Sequence, residues 1–187
     1  MRTEVPGSAI RLRRSVHAAC SFLLHHDVDR LPVDVLQLMR QLPKLRIFTY
    51  RDAAAVHHLP GAGAITDAIG TEDAFTVYDP CSGIHTVFYQ DEGRSPERIR
   101  FTLAHELGHI LLRHMDEFSA MTMTADASDA LEREADLFAA NLLAPVPLMR
   151  ALRAPKPEDR LIFALSAKSW SVRLETWERD ARLWLSP

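Results

Sequence analysis

Residues His105-Glu106-Leu107-Gly108-His109 place two imidazoles and a carboxylate in an H-E-x-x-H pattern. In an α-helix, positions four apart share a face, with their Cβ atoms about 6 Å apart. His105 and His109 can therefore grip one metal ion, and Glu106 can reach a water bound to that metal. This is the arrangement of zinc peptidases, in which the Glu is the general base. Hydrolysis is the leading reading before any other residue is considered.

A hydrolytic zinc site takes three protein ligands and keeps one position for water. The third is sought in Asp129-Ala130-Leu131-Glu132-Arg133-Glu134-Ala135-Asp136, where Leu131, Ala135, Phe138 and Leu142 form an apolar stripe. Glu132 and Asp136 lie four apart on an adjacent face. Glu132 is assigned as the ligand. Asp136, one turn on, can accept the N–H of a ligating His and hold its tautomer. Glu134 is the rival ligand. It sits about 200° around the helix from Glu132, so both cannot face one ion.

His85 and Tyr78 are weaker candidates, for polarising a substrate or stabilising an oxyanion. His114 lies about 140° off the ligand face if the helix continues, and it is expected at the helix end, where a basic group suits the dipole. Arg11, Arg13 and Arg14 read as a solvated face of the first helix.

These residues need elements to hold them. The flanks Phe101, Leu103, Ala104, Ile110, Leu111 and Leu112 are apolar, so a buried helix is expected from about 96 to 114. Pro96 suits its first turn, Ser95 can cap it, and Glu97 favours its N-terminal dipole. Gly108 is costly in a helix, which points to close approach by another backbone. Residues 129–143 form a second helix, stopped by Pro145 and Pro147. Residues 115–128 read as a connector that could wall or cover a substrate groove.

Earlier in the chain, residues 9–26 and the segment opened by Leu31-Pro32-Val33-Asp34 have helical periods. LRIFTY (45–50), AFTVY (74–78) and IHTVFY (84–89) read as strands, the last two as a hairpin around Pro80 and Gly83. Residues 53–70 give no clear pattern, and His57 and His58 suit a surface loop. Residues 158–185 read as one or two amphipathic helices with Trp170, Leu174, Trp177 and Leu183 toward a core. The order of helices, short strands and helices is α+β, with a small antiparallel sheet packed on a mainly helical domain.

The chain has 187 residues, is 47% hydrophobic and carries a formal charge of −3. One domain is expected, with 9–145 holding the sheet and metal helices and 146–187 a C-terminal helical extension. The charge argues against bulk nucleic-acid binding. No apolar run reaches membrane-spanning length, and residues 1–14 lack the apolar core of a signal peptide. Cys20 and Cys81 have no C-x-x-C partner, so two free thiols in a cytoplasmic protein are expected.

Two segments, ERIRFTLAHELGHILLRH (97–114) and EREADLFAANLLAP (132–145), together resemble the ImmA/IrrE family of gluzincin-type metallopeptidases. Ala144 stands where the family often has Met. The strand at 84–90, Leu31 to Asp34 and Phe163 to Leu174 also fit, so the likeness spans most of residues 9–175. It implies a zincin-like fold and a zinc ion held by His105, His109 and Glu132, with Glu106 as base. The E-x-x-x-D spacing of the wider group is met by Glu132 and Asp136. It further implies a protein substrate, a helix-turn-helix repressor in a phage, mobile-element or stress response. A metal-holding anti-repressor that sequesters its partner without cleaving it is the alternative. Some members carry an N-terminal helix-turn-helix. Too few residues precede Leu31 for one here, so no direct contact with nucleic acid is expected.

Overall fold

The computed structural model describes residues 6–70, 73–115 and 125–186. The architecture is α+β, as expected, and it divides into two compact units. One comprises Asp34–Glu106, and the other joins Met1–Val33 to Leu107–Pro187.

The Asp34–Glu106 unit holds α2 (Val35–Arg40), β1 (Leu45–Thr49), α3 (Tyr50–Val56), α4 (Ala62–Ile69), β2 (Ala74–Asp79), β3 (Ile84–Tyr89) and the start of α5 (Pro96–Leu111). Local chemistry sets the helix starts. Asp34 accepts the Gln37 N–H at 3.0 Å, Thr49 accepts that of Asp52 at 3.0 Å, and Ser95 accepts that of Arg98 at 3.3 Å. Gly83 closes the β2–β3 hairpin at φ +67°, in the left-handed region where glycine meets no Cβ penalty.

The sheet order is β1-β3-β2. The hairpin is antiparallel, as the turn signal predicts, but β1 runs parallel to β3, so the small sheet is mixed rather than wholly antiparallel. The reason is connectivity. β1 leads through α3 and α4 to β2 at the far edge, which runs opposite to it, and the hairpin turn then brings β3 back between the two, parallel to β1. Helices α3 and α4 also take up 53–56 and 62–69 of the segment 53–70, where the Ala- and Gly-rich sequence showed no period. His57 and His58 fall between them on the surface. β3 is paired on both sides, and Val87 at its centre is fully buried.

The second unit contains α1 (Pro6–His25), the end of α5, α6 (Ala125–Leu143), α7 (Val146–Ala151), a 3-10 turn (Pro157–Leu161) and α8 (Ala167–Leu185). Val16, Leu137, Val146 and Ala181 form a buried cluster, with Leu12, Trp177, Leu183 and Trp184 packed against it. Helix α6 starts at Ala125, so residues 125–128 are helical rather than part of a loop; residues 116–124 of the expected connector lie outside the described ones. Arg173 of α8 is buried and closes the C-terminus of α6. Its Nε and Nη2 donate to the Ala144 carbonyl at 3.0 and 2.8 Å. Cys20 is buried and its thiol is pushed up to about 11 by that burial, whereas Cys81 is exposed; both are free. Among the described residues, no helix is long and apolar enough to cross a membrane.

Candidate metal centre

Helix α5 presents His105 and His109 on consecutive turns. The boundary between the two units falls inside this helix, after Glu106, so the spacing of the pair follows from helical geometry alone. His109 is buried; its Nε2 lies 3.5 Å from Oε1 of Glu132, whose side chain is half exposed. One nitrogen from each of His105 and His109 and one Glu132 oxygen all lie within 4.8 Å of one another. Two imidazoles and a carboxylate form a donor set that suits a divalent transition metal, with positions left for water or substrate.

Gly108 explains how α6 comes near enough to supply Glu132. A Cβ there would stand 3.1 Å from Phe138 Cδ1 and 3.2 Å from both Cα and O of Ala135. Only a residue without a side chain lets the α6 backbone pass at this distance, as the glycine in the motif suggested.

Glu106 is held from the sheet. The Thr76 hydroxyl of β2 donates to Glu106 Oε2 at 2.5 Å, which leaves Oε1 to turn elsewhere. Thr76 carried no signal in the sequence, because only the pairing of this strand with α5 gives it a partner. Tyr78 lies two residues further along the same face. It faces His85 directly in register, and their rings stack with centroids 4.5 Å apart. Both thus sit on the Glu106 side of the sheet, about 7 Å along it from Thr76.

The two acids of α6 diverge as their spacing requires. Glu132 is in the metal-holding group. Glu134 is almost fully buried, with Oε1 accepting from Arg11 Nη1 at 3.1 Å and Oε2 lying 3.4 Å from His114 Nε2. Burial raises the pKa of Glu134, but the hydrogen bonds and charges of His114 and Arg11 outweigh it and hold the carboxyl below its ordinary value. Asp136 lies one turn beyond Glu132, on the exposed side of α6.

His114 does not extend α5. The helix ends at Leu111, and Arg113 adopts φ +62°, which breaks the helical path before His114. His114 is thereby fully buried, with its Nδ1 3.1 Å from His109 Nδ1. The expectation of a helix-end position assumed that the helix ran on. Nor is the basic run on α1 merely solvated. Arg11 holds Glu134, and Arg14 Nη2 donates to the Leu112 carbonyl at 2.6 Å, satisfying an orphan acceptor at the end of α5.

The sequence of residues 64–178 matches the model of the Peptidase_M78 family, described as the IrrE N-terminal-like domain. The chain belongs to this family. The matched segment includes β2, β3, α5 and α6, the elements that carry Thr76, His105, Glu106, His109 and Glu132. It is therefore a member of a metallopeptidase family with a His-His-Glu group able to hold a metal. No curated protein matches the chain.

Proposed function

We propose that this protein is a zinc-dependent endopeptidase, acting as one peptidase domain, that cuts a helix-turn-helix transcriptional repressor in the cytoplasm. The observation that carries the reading is the convergence of His105, His109 and Glu132 beside Glu106, within a segment matched by a peptidase family. The ligands are His105, His109 and Glu132, and Asp136 supports them from one turn along α6. The repressor substrate, and its place in a phage, mobile-element or stress response, rest on the resemblance to ImmA/IrrE proteins.

A bound zinc ion would supply Lewis-acid polarisation of the scissile carbonyl and would lower the pKa of water toward about 7. Glu106 takes a proton from the attacking water on Oε1 and delivers it to the leaving amine. Thr76, by holding Oε2, keeps the carboxylate in one orientation and spares it that search during turnover. Tyr78 and His85 offer polar groups on the same face of the sheet for the substrate or the developing oxyanion.

The test uses purified protein and the repressor encoded beside its gene. The unaltered chain is expected to bind about one zinc and to cut the repressor. Glu106→Gln should keep the zinc and lose cleavage, whereas Glu132→Ala should lose both. Full relief of repression by Glu106→Gln would replace the peptidase reading with sequestration.

A further inference from the structure

We propose that the outer ring face of Tyr78 is a specificity subsite that selects a flat substrate side chain, an aromatic ring or an arginine guanidinium, near the bond that is cut. The inference rests on the peptidase reading and adds to it which residue the site accepts.

β2 lies at the edge of the sheet, and no strand among the described residues pairs with its outer side. Two backbone bonds fix which of its groups point outward. The Gln90 N–H donates to the Asp73 carbonyl at 2.8 Å, so Asp73 and every second residue after it turn their backbone groups toward β3. The His85 N–H donates to the Lys44 carbonyl at 2.9 Å, on the β1 side. His85 and Tyr78, which are in register, therefore exchange no backbone bonds. Thr76 and Tyr78 thus present their N–H and C=O groups to the open edge. Their side chains project on the face where Thr76 holds Glu106. An extended peptide laid along this edge passes Glu106 beside Thr76 and meets Tyr78 two residues on, about 7 Å away.

A strand pair without mutual backbone bonds brings its side chains closest together. The rings of Tyr78 and His85 stack with centroids 4.5 Å apart and planes 25° apart. Rings this close meet by their faces and not side by side, so their normals run across the strands. His85 covers the inner face of Tyr78. The other face looks past β2 to the open edge, and Tyr78 is only partly buried. A side chain of the docked peptide becomes the third layer of this ladder. An aromatic ring stacks there with full contact, and a guanidinium adds attraction to the ring's negative face. Leucine and lysine have similar bulk and length but no flat surface, so they cover less of the ring. The contact uses the ring and not the Tyr78 hydroxyl. Side chains alternate along an extended peptide, so the residues on either side of the selected one point away from Tyr78.

A random peptide library bound to zinc-loaded Glu106→Gln protein reads this preference without turnover. Retained peptides should favour Phe over Leu, and Arg over Lys, by about 2- to 10-fold at one position. The adjacent positions should show no such preference. Adding Tyr78→Leu should erase the preference while leaving peptides bound, whereas adding Tyr78→Phe should keep it. A purely structural role for Tyr78 would instead weaken all peptides alike. Retention with no flat preference would overturn the proposal, as would a preference that survives Tyr78→Leu. Cleavage of the same library by the unaltered chain judges the peptidase reading separately. Cleavage without the preference removes the subsite and leaves the peptidase, and the preference without cleavage does the reverse.

Discussion

The unit that joins Met1–Val33 to Leu107–Pro187 holds two rows of polar and charged side chains with buried centres, and they end differently. In the first, Arg173 is bound by Asp180, Asn141 and the Ala144 carbonyl. Asp180 is further satisfied by Asn141 at 3.0 Å and Arg179 at 2.9 Å. Arg173 thus ties α8 to Asn141 of α6 and to the carbonyl just past that helix. The second row, Arg11–Glu134–His114–His109, is closed at one end only. Its last member turns Nε2 toward the half-exposed carboxylate of Glu132. Each row reaches solvent at an arginine, Arg179 in the first and Arg11 in the second, but only the second also runs to the metal-holding group. A saturated polar network gives helices a fixed register. A network left open at one end leaves a ring nitrogen facing the carboxylate of the neighbouring helix.

The largest effect that would sharpen this contrast is on the closed row. Arg173→Met leaves Asp180 buried with part of its charge uncompensated, and should cost about 3–5 kcal/mol. Denaturant midpoints would measure it. Arg173→Met with Asp180→Leu should recover much of that loss, and the metal affinity of either variant should stay near that of the unaltered chain. A large fall in affinity would break the distinction between the rows.

Gly108→Ala comes next. Its methyl group meets Ala135 backbone and Phe138, so overpacking should cost about 1–3 kcal/mol. It also pushes α6 from α5, where Glu132 and Glu134 both depend on close approach. Thermal melts and zinc titration should therefore fall together, unlike those of Arg173→Met.

The smallest effect belongs to a partly exposed ion cluster in the other unit, where Asp73 meets Arg94 and Arg98. The Arg98 hydrogen bond, with the nearby charges, holds the Asp73 carboxyl below its ordinary 3.8. Its stabilisation is present above that value and is lost as pH falls through the lower, folded value. Asp73→Asn should cost under about 1 kcal/mol at neutral pH. It should also flatten the acid limb of the stability profile. A loss as large as that of Arg173→Met would show that burial is not what separates these clusters.

Much of the centre was legible because its signals are local. The H-E-x-x-H spacing places both imidazoles on one helical face, and the two-residue interval between Glu132 and Glu134 already requires the two acids to point apart. Gly108 announced a near backbone by its cost. The Ser95 cap is also local, since it acts on an N–H three residues on. Other features were not legible. The parallel pairing of β1 depends on what lies across the sheet, and α3 and α4 formed in a segment with no hydrophobic period. The core candidates read in residues 158–185 were all apolar, so the burial of Arg173 and Asp180 was not anticipated.

The sequence by itself determined which groups could share a metal face, because a helix repeats every 3.6 residues whatever surrounds it. Only the tertiary structure decided what stands behind that face. Thr76 reaches Glu106 from a strand 30 positions away. His114 turns inward because Arg113 takes a left-handed conformation, and Arg11 reaches Glu134 across 123 positions. Hydrogen bonds between distant segments leave no period or spacing in the chain, so the partners that orient the site appear only once it is folded.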